Sequence, residues 1–138
     1  MIGLDTNVLA RYYIQDGGDA EALKQREAAR RLMESGRPLM VCKTVLLELE
    51  WVMRGYYKFS TAEIAGVMHH LLASPQVTVE DRDSIVQALS HCDAGLELAD
   101  ALHHASYRGC DSMASFDDRQ FARRARRMGL SPRVVVPE

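Results

Sequence analysis

Short apolar runs alternate with longer stretches of helical periodicity along the whole chain, and this alternation restricts the possible fold more than any other feature. Met1–Leu4, Leu39–Cys42, Val77–Val79, Cys110–Phe116 and Arg133–Val136 read as strands. The segments between them are too long for hairpin turns and carry apolar residues at helical spacing, which predicts parallel strands joined by crossover helices. The expected architecture is an α/β/α sandwich with a mainly parallel central sheet.

The helices can be bounded from their caps. Val8, Leu9, Tyr12 and Tyr13 repeat with helical spacing until Gly17 and Gly18 break the pattern. Asp19 caps a second helix over Ala20–Glu34, closed by Gly36 and Pro38. Thr44 is the expected N-cap of a third helix, which carries Leu47 and Trp51 among its apolar groups and ends at Gly55. Ser60 and Glu63 form a capping box before an apolar stripe of Ile64, Val67, Met68, Leu71 and Leu72, which together with Tyr56 and Tyr57 is read as core or as a self-association surface. Further helices begin near Asp83, with Ile85, Leu89 and Cys92 on one face until Gly95, and cover Glu97–Arg108 and Asp118–Met128.

A chain of 138 residues can bury a core without disulfides, so residues 1–138 are expected to form a single domain. The start Met-Ile-Gly-Leu-Asp lacks a basic leader, and no apolar run reaches the roughly 20 residues that cross a bilayer. A cytoplasmic protein with no membrane partner is the expectation. Cys42, Cys92 and Cys110 are odd in number and widely spaced, which supports neither a disulfide framework nor a zinc ribbon. A net charge of −2 argues against a simple polyanion binder. Arginine is nevertheless concentrated at positions 119, 123, 124, 126 and 127.

Four acids sit in otherwise apolar segments: Asp5 after the first strand, Glu48 within Val45-Leu-Leu-Glu-Leu, Asp100 within Leu98-Ala-Asp-Ala-Leu and Asp117 after Ser115-Phe. In parallel sheets the strand-to-helix turns gather beyond the carboxyl ends of the strands, where ligands bind. Asp5 and Asp117 belong on such a rim, and Glu48 and Asp100 reach it from early helical turns. Ionised carboxylates crowded together repel and raise one another's pKa unless cations intervene. An all-oxygen donor set without clustered Cys or His favours Mg2+ or Mn2+ over zinc. Two such ions about 4 Å apart can activate water and stabilise the leaving oxygen at a phosphodiester. Glu97, Asp100 and His104 fall three and four apart, on one expected helix face opposite Leu98, Leu102 and Ala105.

Asp5-Thr6-Asn7, Glu48-Leu49, Leu98-Ala-Asp-Ala-Leu-His103 and Ser115-Phe-Asp117, in that order, resemble the motifs of PIN-domain ribonucleases, specifically VapC-like toxins of type II toxin–antitoxin systems. The resemblance spans nearly the whole chain. It implies Asp5, Glu48, Asp100 and Asp117 as catalytic, metal-binding acids, Thr6 and Ser115 as hydroxyls that orient them, and Asn7 as a nearby polar contact. It also implies cleavage of structured RNA such as transfer RNA, a homodimer and a cognate antitoxin protein. Ser115 stands where the family more often has Thr, and His104 where an apolar residue is common.

Each residue also has a plainer reading. Asp5 could merely cap a helix, and Glu48 could be a solvated helix acid; its apolar neighbours predict a mostly buried segment, where a lone carboxylate is costly. Glu50 is expected at the surface. Asp118 is the expected cap of the last helix, leaving Asp117 as the ligand. Glu97 is balanced between a metal-side role and a solvated helix start, His103 is read as packed or surface, and His104 as a supporting residue. Arg119, Arg123, Arg124 and Arg127 are balanced between a solvated face and an RNA track, with Arg123 and Arg124 the first choice for phosphate contact. A receiver-like regulatory module and a catalytically silent PIN-like interaction subunit are the alternatives to a nuclease.

Overall fold

A computed structural model describes all residues, Met1–Glu138, as two compact units, Met1–Arg82 and Asp83–Glu138. The first unit contains a three-stranded parallel sheet in the order β1 (Ile2–Gly3), β2 (Leu39–Val41), β3 (Val77–Val79). Ile2 pairs with Leu39, and Leu39 with Val77, so the central strand β2 bonds on both edges. Leu39 and Val41 are completely buried on one face of β2, and Met40 on the other face is partly exposed. The second unit pairs β4 (Ser112–Ala114) with β5 (Arg133–Val135), again in parallel. All five expected strands form, and every pairing is parallel.

Within the first unit, β1 leads into α1 (Thr6–Tyr13) and α2 (Ala20–Met33) before the chain returns as β2. Asp19 Oδ1 accepts from Ala22 N at 2.9 Å, fixing the start of α2 as the sequence predicts. The expected Thr44 cap is not what begins α3 (Lys43–Trp51). Cys42 occupies the N-cap without a side-chain bond to the helix. Glu80, beyond β3, supplies the missing acceptor, taking the Lys43 N–H at 2.8 Å, while Lys43 Nζ meets Asp81 at 3.0 Å. A side chain from the neighbouring strand end thus does what local sequence would assign to Thr44. The helix also changes character before Gly55: residues Val52–Tyr56 form a π-helical turn, closed by Tyr57 N–H to the Val52 carbonyl at 3.3 Å.

The capping box of α4 (Thr61–Ala73) is present in both directions, Glu63 N to Ser60 Oγ at 3.1 Å and Ser60 N to Glu63 Oε1 at 2.9 Å. Its stripe of Ile64, Met68, Leu71 and Leu72 is buried within this chain. The stripe therefore serves the core and is not available for the self-association surface offered as its other use.

The second unit packs α5 (Arg82–Asp93), α6 (Leu98–Ser106) and α7 (Arg123–Arg127) with β4 and β5. The last helix begins as a π-helical turn over Asp118–Ala122. Its core holds Ile85, Leu89, Leu98, Leu102, Phe121, Ala125 and Val134, and also His104, which is fully buried. His104 Nε2–H donates to the Pro132 carbonyl at 2.7 Å, and its ring lies 6.0 Å from that of His91 and 6.4 Å from that of Phe121. The Nδ1 atoms of His91 and His104 are both buried without a partner.

Burial, and then the neighbouring His104, hold the His91 imidazole below its ordinary pKa. The unfolded chain therefore binds a proton before the folded one does, so the stability that neutral His91 confers is complete above the usual histidine range and lost as pH falls through it. Thermal melts at decreasing pH, from about 7.5 to 5, should show a falling Tm, and His91→Gln should flatten that dependence.

Candidate active site

Asp5 lies beyond the carboxyl end of β1, where the chain turns from strand into helix. Its backbone is extended (φ −84°, ψ 161°), and its Oδ1 accepts from Thr6 N at 2.8 Å. The plain reading of Asp5 as a cap is thus correct for one oxygen, and Oδ2 makes no hydrogen bond. Thr6 is buried, and its hydroxyl has no partner. An unsatisfied buried hydroxyl costs free energy. Asn7 is exposed and lines the groove between α1 and α2, with Arg11 and Gln25.

Because β1, β2 and β3 run in parallel, the α3 start lies at the same sheet edge as Asp5. The helix buries Leu46, Leu49 and Glu50 and turns Thr44, Glu48 and Trp51 outward. Two expectations are reversed here. Glu48 is exposed, so desolvation cost is not what distinguishes it; Glu50 is the buried acid, satisfied by Arg54 Nε at 2.6 Å. With Arg54 supplying the counter-charge, burial at Glu50 is tolerable, whereas Glu48 makes no hydrogen bond or ion pair and is left open to a cation.

In the second unit, Asp100 lies in the first turn of α6, half-buried and without a hydrogen-bond partner. Burial first, then Glu97 and then Asp117, push its carboxyl above the usual range, while His103 opposes them. Asp100, Glu97 and Asp117 therefore share one electronegative neighbourhood. His103, not His104, faces it: α6 turns His104 into the core. The available signal was Ala101, which widens the apolar face of Leu98, Leu102 and Ala105 toward His104.

Asp117, not Asp118, is the N-cap of the closing π-helical turn, accepting from Gln120 N at 3.0 Å. Asp118 binds Arg123 Nε at 2.8 Å instead. Ser115 Oγ accepts from the Asp117 backbone N–H at 3.1 Å, which steadies the turn that carries Asp117. Arg123 is thus engaged with Asp118, and Arg124 Nη1 donates to the Gly95 carbonyl at 2.9 Å. Arg119, Arg126 and Arg127 are exposed, and their side chains make no hydrogen bond or ion pair.

Within neither unit are three or more His, Cys, Asp or Glu side chains closed around a common point as a finished metal cage. What each unit presents is open carboxylate oxygen. The donors are hard, as Mg2+ or Mn2+ requires, and Asp100 bears the like charges of Glu97 and Asp117 with only His103 opposing them. No helix is long and apolar enough to cross a membrane.

The raised Asp100 pKa means that its ionised form destabilises the metal-free fold at neutral pH. Asp100→Asn should raise the Tm in chelator, and added Mg2+ or Mn2+ should stabilise the wild type more than this variant. Asp5→Asn keeps a capping side chain and should leave the metal-free Tm nearly unchanged. Calorimetry with and without divalent ions checks both; a drop in Tm for Asp100→Asn would show a structural contact in its place.

Compared with known families, residues 2–127 match the PIN domain, a span that includes all four acids. No curated protein matches the chain.

Proposed function

The chain belongs to the PIN-domain family, whose fold is of nuclease type, and from that premise we propose that it is a divalent-metal-dependent endoribonuclease. Asp5, Glu48, Asp100 and Asp117 would supply the metal-binding carboxylates. The observation that carries this reading is Asp100: a half-buried acid beside two further acids, with no hydrogen-bond partner and a pKa raised by both burial and repulsion. Such an arrangement is unfavourable by itself and becomes favourable with a cation. Perturbed acids of this kind concentrate at functional sites.

The chemistry follows from the donor set. A bound Mg2+ or Mn2+ would supply Lewis acidity at the phosphodiester. Asp5 and Asp117, each with one oxygen tied to a backbone N–H, offer their remaining oxygens in fixed directions. The Thr6 hydroxyl is free to orient a bound group beside Asp5, and Ser115 steadies Asp117. Glu97 adds negative charge near Asp100 and would take a supporting part. Arg119, Arg126 and Arg127 would hold flanking phosphates. Hydrolysis by activated water leaves a 5′-phosphate and a 3′-hydroxyl.

The narrower reading makes the protein the VapC-like toxin of a toxin–antitoxin pair, cutting structured RNA such as transfer RNA, forming a homodimer in the cytoplasm and restrained by a cognate antitoxin. The order of the four motifs supports it. Since the α4 stripe is core, a homodimer would use another surface.

Purified protein incubated with total RNA should produce cuts in Mg2+ and none in chelator, and end mapping should give 5′-phosphates. Asp5→Asn should lower the rate by on the order of a hundredfold or more, as loss of metal-borne charge stabilisation requires. Replacing Arg119, Arg126 or Arg127 with Ala should weaken RNA binding and reduce its salt slope by about one for each arginine that held a phosphate. Cleavage that is unchanged in chelator would refute the metal-dependent reading.

A further inference from the structure

Helix α3 has its burial inverted at two adjacent positions: Glu50 is 9% exposed and Trp51 is 73% exposed. An indole turned to water beside a buried carboxylate runs against the ordinary partition of side chains. Trp51 lies three residues after Glu48, on the same outward face of the helix. The π-helical turn that follows brings Val52, Gly55, Tyr56 and Tyr57 around it, forming a groove of about 510 Å³. Tyr56 is 78% exposed, and its ring meets Tyr57 edge-on at 4.9 Å. Gly55 has nothing within 4 Å of where a Cβ would stand, so the groove is open above it.

Charge around the groove is mixed: Glu48 stands unpaired on the same face as Trp51 and Tyr57 Oη donates to Asp16 at 3.2 Å, while the segment itself supplies the cations. Residues 51–58 contain Arg54 and Lys58 and no acid. Arg54 neutralises the buried Glu50, while Lys58 is exposed and unpaired. Aromatic faces interleaved with cations suit unpaired nucleotides, whose bases stack on the rings while the backbone meets positive charge. An acidic helical partner would share the charge preference but gives no reason for flat, fully exposed rings one helical turn from a metal-binding acid. The second unit repeats the pattern: Phe116, next to Asp117, is 80% exposed.

We propose that Trp51 and Tyr56 form a stacking shelf for an unpaired nucleobase of the RNA, adjacent to Glu48, so that the substrate is a single-stranded or looped segment. This deepens the nuclease reading and rests on it for the role of Glu48. An unpaired base exposes the π-face that the shelf requires, whereas a duplex keeps its faces stacked.

Trp51 is the sole tryptophan, so its emission reports directly on the shelf. Titrating the full chain, in chelator to prevent cleavage, with an unpaired RNA oligonucleotide should quench that emission saturably, and a duplex of equal length should quench it far less. Anisotropy of a labelled oligonucleotide should show Trp51→Ala and Tyr56→Ala binding on the order of tenfold more weakly, the loss of one base stack, with Trp51→Phe retaining most affinity. Both residues are exposed, and unchanged melting curves would confirm that the variants fold. Absence of quenching, or equal affinity in Trp51→Ala, overturns the shelf. So does sedimentation showing that wild type but not Trp51→Ala self-associates, since a second copy would then cover the groove. Quenching by unpaired RNA in a protein that cuts no RNA in Mg2+ would sustain the shelf and refute the nuclease.

Discussion

Parallel pairing of β1, β2 and β3 is the constraint on which the placement of Asp5 and Glu48 depends. A parallel ladder sends every strand in the same direction, so each strand-to-helix turn falls at the same edge. Asp5 after β1, the α3 start after β2 and Glu80 after β3 are therefore neighbours by topology. Glu80 shows the consequence: it reaches from one turn to the first N–H of the next helix and steadies the element that carries Glu48. Burial of Leu39 and Val41 fixes the register, since a one-residue slip would exchange their faces with that of Met40.

Electrostatics separates the acids that hold the fold from those that remain open. Glu50, Asp118 and Asp16 have arginine partners, and Asp81 has Lys43. Asp100 and Glu48 have none, and Asp5 and Asp117 each commit one oxygen to a helix start. Asp100 is the most telling, because its carboxyl is raised by burial and by Glu97 and Asp117, with only His103 acting the other way.

Much was legible in the sequence because it is written in local patterns. Strand positions, the Asp19 cap, the Ser60–Glu63 capping box and the breaks at Gly17, Gly18 and Gly95 follow from propensity and from residues a few positions apart. The misreadings are of another kind. Glu48 and Glu50, His103 and His104, and Asp117 and Asp118 are each one or two residues apart, and in each pair the residue turned inward or used as the cap is not the one expected. Flanking leucines say that a helix is partly buried without saying which acid goes inward, and that choice fell to Arg54 at Glu50 and to the Pro132 carbonyl at His104. Either partner could be named only once the chain had folded around it.

The sequence alone determined an α/β chain with parallel strands and four acids at positions where helices begin or make their early turns, because periodicity, capping and connection length act over a few residues at a time. Tertiary structure decided which side of each helix became the inside. A step of one residue turns a side chain through more than a quarter of a turn, and only the packed neighbours select among those orientations. That selection buried Glu50 and His104, left Trp51 in water beside Glu48, and set Asp100 among like charges.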